Sequence, residues 1–231
     1  MALKDTYADS LRLAANDNHA FTCYRARQRV GQPRAGLVLL QEIFGVNRHI
    51  RAAADRYAAS GLLVLAPALF ERIEPGLELT YQSDDVVRGR ACKVQVPYDQ
   101  ASEDIAACVQ WLVQQDLKVG VVGFCWGGDL AWLSARLPGV TASVAFYGGG
   151  IGTLAPDNPP KVPLQLHFGL EDKGIPESAR RAAYQAAPEA EVFEYPADHG
   201  FCCDERGSYH AEAAEAAWER ARAFFARHLG A

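Results

Sequence analysis

A chain of 231 residues, 49% apolar and 22% charged, suits one globular core and reads as one domain over residues 1–231. The formal net charge of −5 argues against nucleic acid or an anionic membrane surface as a partner, because phosphate is bound by clustered Lys and Arg. No run nears the roughly 18 apolar residues of a membrane span, and the start, Met1 to Thr6, lacks the basic and apolar parts of a leader, which points to the cytoplasm.

After a polar start, short apolar runs recur at residues 36–41, 62–66, 119–123, 142–147 and 162–168. Continuous runs of this length suit strands buried on both faces of a parallel sheet. Further strands are expected over 21–27 and 190–195. Helical periodicity fills the intervals at 49–60, 102–115, 129–137 and 177–186, and a long Ala/Glu-rich helix over 209–228 closes the chain. Alternating strands and helices predict a mostly parallel, doubly wound α/β sheet flanked by helices. Residues 70–96 read as a long irregular polar loop, of the kind that serves as a lid or binding loop.

The sharpest local signal is Gly123-Phe124-Cys125-Trp126-Gly127-Gly128, directly after a buried strand and directly before a helix. In such an elbow the central residue sits on a strained turn and the flanking glycines leave room for neighbouring backbone, so the side chain stands free above the sheet. The helix N-terminus behind it lowers a thiol's pKa and offers the Trp126 N–H to a developing oxyanion. The alternative is a structural cysteine beside a glycine-rich turn.

Around an elbow of this kind an acid and then a histidine follow in chain order. Gly169-Leu170-Glu171-Asp172 leaves a strand with two carboxylates, of which Asp172 is the better placed relative to Pro176. Glu171 reads as a solvated loop acid. His199, in Asp198-His199-Gly200-Phe201, falls between the last strand and the last helix. His210 and His228 fall in the closing helix and His167 in a strand, whereas His19 and His49 have no place in the order. The expected chemistry is proton transfer from Cys125 to His199, oriented by Asp172, with an acyl-enzyme on the thiolate.

With these residues in view, the chain resembles the dienelactone hydrolase family of the α/β-hydrolase superfamily, the carboxymethylenebutenolidases. The likeness runs from about residue 36 to 225 and rests on Gln41-Glu42-Ile43-Phe44-Gly45, the Cys125 elbow, Phe146-Tyr147-Gly148-Gly149, the stretch from Gly169 through Asp172 to Pro176, and His199-Gly200-Phe201. The resemblance implies an α/β-hydrolase fold, a Cys125, Asp172, His199 triad, and a fourth group, Glu42, that pairs with the resting thiol until substrate displaces it. It further implies a second oxyanion donor at the Ile43 N–H and a pocket lined by Tyr147. Members that open lactones hold a substrate carboxylate with arginines, for which Arg206, Arg88 and Arg90 are the candidates here. Arg206 lies further beyond His199 than that role leads one to expect.

The implied partner is a small ester or lactone, with no metal and no cofactor called for; no feature assigns an oligomeric state. A broader carboxylesterase or thioesterase acting on uncharged substrates is the main competing reading. A thiol redox protein resolved by the vicinal Cys202 and Cys203, or a binding module on the same fold, are the others. Six cysteines without a CxxC pair resemble neither a disulfide framework nor a zinc site, and Cys23, Cys92, Cys108, Cys202 and Cys203 read as structural thiols.

Overall fold

The computed structural model describes residues 5–230. Its strands are β1 (Thr6–Ala14), β2 (Ala20–Gln28), β3 (Ala35–Leu40), β4 (Leu62–Pro67), β5 (Val119–Phe124), β6 (Val140–Phe146), β7 (Leu164–Gly169) and β8 (Glu191–Tyr195). Its helices are α1 (Arg48–Ala59), α2 (Ser83–Gln95), α3 (Tyr98–Val113), α4 (Trp126–Ser134), the short α5 (Ile151–Leu154), α6 (Glu177–Ala186) and α7 (Ala211–Leu229). The strands form one eight-stranded sheet in the order β1-β2-β4-β3-β5-β6-β7-β8. β1 and β2 are antiparallel to their neighbours and the remaining pairs are parallel.

The strands β3, β4, β5 and β7 are buried along their whole length, because helices cover both faces and leave no wet side to select polar residues. β1 is the exception. Its residues alternate between half-buried and exposed at the sheet edge, and Leu11 and Leu13 pack against the core from there. This strand replaces the polar start expected from the sequence.

The stretch expected to be an irregular loop over 70–96 is also more ordered than that. A 3-10 turn (Leu69–Arg72) leads through an irregular segment into the three-turn helix α2. Only Gly89 and Cys92 of α2 are buried, while Val87 and Val94 are exposed, so no apolar stripe marks the helix in the sequence. The polar helix start is supported by Asp84 and Asp85 in its first turn, where carboxylates favour the positive end of the dipole.

His210 turns out to cap α7 rather than lie within it, its Nδ1 accepting the Ala213 N–H at 3.2 Å. His167 is a buried strand residue as expected. Its Nε2–H donates to Gln165 Oε1 at 2.8 Å, which leaves Nδ1 to accept the Tyr195 hydroxyl at 2.9 Å. Burial holds this imidazole neutral, pushing its pKa down to about 3.

Candidate active site

All the expected site residues on the parallel strands emerge at their carboxyl ends, where an open α/β sheet forms its crevice. β5 runs straight into the elbow, and Cys125 takes φ 55° and ψ −116°, a backbone conformation that costs of order 1–3 kcal/mol for a side-chain-bearing residue. The flanking glycines explain how the turn closes. A Cβ on Gly123 would strike the Gly127 carbonyl, and one on Gly127 would strike the Leu40 and Gln41 carbonyl oxygens. The elbow therefore packs directly on the end of β3, the strand that continues into Glu42 and Ile43. The Cys125 N–H is tied to the Phe146 carbonyl at 3.0 Å, and the thiol stays partly exposed.

His199 reaches the elbow from the loop after β8, and Asp172 from the loop after β7. Asp172 Oδ2 lies 2.6 Å from His199 Nδ1, with the carboxylate 2% exposed and the imidazole 26% exposed. The other oxygen, Oδ1, accepts the Gly174 N–H at 2.8 Å, which fixes the carboxylate's orientation. Cys125 stands close enough to the ring to act on its protonation. Burial works against a charged ring, but the negative charges of Cys125 and Asp172 outweigh it and raise the His199 pKa to about 10. Glu171 has an exposed side chain and takes no part.

Glu42 stands at the carboxyl end of β3 and is fully buried, yet its partner is not the thiol expected from the family resemblance. Tyr81 donates its hydroxyl to Glu42 Oε2 at 3.0 Å, and Arg206 Nη1 donates to Oε1 at 3.0 Å. The reason is geometric: the chain after His199 turns back so that Arg206 packs under Gly200, and its guanidinium supplies the counter-charge that a buried carboxylate requires. Asn47 in turn donates to the Tyr81 hydroxyl at 3.1 Å. Tyr147 is fully buried rather than open to the cleft, with φ 38°, its ring 5.2 Å from His199 and 5.4 Å from Phe201.

Of the three arginines considered for an anionic substrate, only Arg206 reaches this cluster. Arg88 is paired with Glu74 at 2.6 Å on the surface, and Arg90 is exposed on α2. Ile43 follows Glu42 directly, and Trp126 opens α4 beside Cys125; a helix's first N–H groups have no partner within the helix.

A second polar cluster escaped the sequence reading. Asp129, fully buried in the first turn of α4, accepts the Tyr98 hydroxyl at 2.9 Å, the Lys93 ammonium at 3.2 Å and the Gly150 N–H at 2.7 Å. Lys93 comes from α2, so this pair ties the covering helix to the helix that carries the elbow. Three partners separated from Asp129 by 21 to 36 positions leave no local pattern that could have announced them.

A strained strand-to-helix elbow, with an acid and a histidine converging on it in that chain order from later strands of a mostly parallel sheet, defines an α/β hydrolase. The dienelactone hydrolase family model matches residues 19–229, and the chain belongs to that family. Among its relatives, one from Synechocystis sp. named "Putative carboxymethylenebutenolidase" is 38% identical over 211 residues, covering 84% of this chain and 86% of the relative. One of the same name from Azospirillum brasilense is 32% identical and covers 95% and 99%. A crystal structure from Klebsiella pneumoniae described as a "Putative Dienelactone Hydrolase" superposes with a TM-score of 0.84 at 30% identity, covering 96% of this chain and 98% of that one. The protein is thus an ester-cleaving hydrolase of the dienelactone hydrolase type, acting on small molecules. Among the described residues no helix is long and apolar enough to cross a membrane.

Proposed function

We propose that Cys125 is the nucleophile of this hydrolase, that His199 moves its protons and that Asp172 orients the ring, in the opening of a small carboxylate-bearing lactone. The observation that carries the reading is the 2.6 Å contact of His199 Nδ1 with the buried Asp172, with Cys125 presented on its strained turn close enough to raise the ring's pKa. In the first half, the Cys125 thiolate attacks the carbonyl carbon, the carbon to ring-oxygen bond breaks, and His199 returns a proton to the leaving oxygen. In the second, His199 takes a proton from water, which attacks the thioester and frees the acid and the thiol. The N–H groups of Ile43 and Trp126 face the oxyanion in this scheme.

Arg206 is the group that meets the substrate carboxylate. It is held by Glu42, so an anionic substrate binds there by taking the guanidinium from Glu42, and the released carboxylate is then free to act on the thiol side of the cleft. Residues 1–231 form one domain in this reading, which the single sheet supports. One observation favours a second reading: Arg206 is already neutralised by Glu42, which suits an uncharged ester and hence a broader carboxylesterase or thioesterase.

Hydrolysis of a carboxylate-bearing dienelactone is compared with that of a neutral p-nitrophenyl ester of similar size, with wild type and Cys125→Ala. Preference for the lactone, lost in Cys125→Ala and accompanied in wild type by a quenched acyl-enzyme adduct on Cys125, is expected. Preference for the neutral ester selects the second reading. Turnover that survives Cys125→Ala overturns the nucleophile assignment.

A further inference from the structure

Beside Glu42 lie two further ligand-type side chains from distant segments. His49 sits in the first turn of α1, and Cys203 lies in the loop between β8 and α7. Glu42, His49 and Cys203 each offer one donor atom, and the three atoms all lie within 4.8 Å of one another. All three residues are buried, with Glu42 and Cys203 at 0% and His49 at 6% exposure. His49 Nε2 is buried without a hydrogen-bond partner, and a native structure seldom leaves a buried polar atom so. One nitrogen, one sulfur and one carboxylate oxygen make a donor set suited to a borderline-soft divalent ion such as zinc.

We propose that Glu42, His49 and Cys203 form a transition-metal site, zinc-like in its donors, which takes the Glu42 carboxylate from Arg206 when it fills. A groove of about 700 Å³ runs between α1 and α7 and is lined by His49, Cys202 and Asp204 together with Trp218 and Arg56. On binding, Cys203 gives up its proton to solvent as the sulfur to metal bond forms, the His49 ring supplies a nitrogen lone pair, and the Glu42 carboxylate exchanges a guanidinium for the metal. Because Glu42 is shared, a filled site frees Arg206 and alters the cleft without touching Cys125.

Cys125 and His199 could themselves hold a soft ion, so the test first removes the Cys125 thiol. Cobalt(II) is titrated into Cys125→Ser, and the near-ultraviolet thiolate-to-cobalt charge-transfer band is followed with the metal-to-protein ratio. One cobalt per chain with a thiolate band is expected. The band should disappear in Cys125→Ser with Cys203→Ala, and His49→Gln in the same background should weaken binding by about tenfold or more, as loss of a metal-site group generally does. Absence of the band in Cys125→Ser, or its persistence after Cys203→Ala, overturns the proposal. If Cys203→Ala does not fold, unchanged affinity in His49→Gln overturns it equally. The readout is independent of turnover, so it stands or falls separately from the catalytic assignment.

Discussion

The contact between His199 and Asp172 does two things at once: it fixes which imidazole nitrogen faces Cys125, and it favours the charged ring. Asp172→Asn keeps the size of the side chain but inverts the hydrogen bond, so the ring presents the wrong nitrogen. kcat for ester hydrolysis should fall by about 10³- to 10⁴-fold with little change in KM, the scale found when an orienting carboxylate is lost. A fall of less than tenfold would remove Asp172 from the mechanism. The same pair predicts a pH dependence. The folded pKa of His199, about 10, lies above the ordinary 6.5, so the stabilisation of the charged ring is complete below about 6.5 and is lost as pH rises through about 10. The Tm advantage of wild type over Asp172→Asn should narrow across that window, and the basic limb of kcat/KM should fall near its upper end. A gap in Tm that widens with pH would show that the imidazolium is not the species stabilised.

At the scale of elements, α2 is held against the proposed oxyanion side of the cleft by two contacts. A Cβ on Gly89 would strike the Ile43 carbonyl oxygen, so α2 lies against the backbone whose N–H is assigned to the oxyanion, and Lys93 fastens the same helix to Asp129. Gly89→Ala should displace Ile43 and lower kcat/KM by about 10²-fold, the cost typical of an ångström-scale misplacement; its Tm should fall as well, because Gly89 is buried and the clash is with backbone. An unchanged kcat/KM would detach α2 from the reaction. Before α2, the turn at Leu69–Arg72 is anchored differently. Arg72 donates through Nε and Nη2 to the two oxygens of Asp104 on α3 at 2.9 and 2.7 Å, with both side chains nearly inaccessible. Asp104→Asn removes the buried one of the guanidinium's two carboxylate partners and leaves Asp17 at 2.8 Å, so it should cost about 1–3 kcal/mol in denaturant unfolding.

These elements also mark where the sequence was legible. The buried strands announced themselves because a strand covered on both faces must be apolar throughout, and the elbow did so because its glycines and its strand-to-helix position are adjacent in the chain. The convergence of Asp172 and His199, at 2.6 Å from each other, followed from chain order. α2 was not legible, since Gly89 and Cys92 alone are buried in it, and β1 was not, since an edge strand half open to water is mixed in polarity. The pairing of Glu42 with Arg206, 164 positions apart, could be reached from sequence only through the family resemblance, which supplied both residues as candidates and the wrong partner for one of them.

Over the whole molecule, the charge distribution sets a test that no single residue does. The net charge is −5, and Arg206, the cation nearest the thiol among those considered, is compensated by Glu42. At long range an anionic substrate therefore meets a repulsive field, and it meets an attractive charge only after it has begun to displace Glu42. Salt screens the first effect, with a Debye length of about 30 Å at 0.01 M and about 8 Å at 0.15 M, but hardly touches the second, which acts between buried groups. kcat/KM for a carboxylate-bearing lactone should therefore rise by about twofold between those ionic strengths, while that for a neutral ester stays flat. A fall with salt would instead mean that an exposed cation steers the substrate into the cleft. Arg90, exposed on α2, would then be the first side chain to replace, whereas Lys93 is already paired with Asp129.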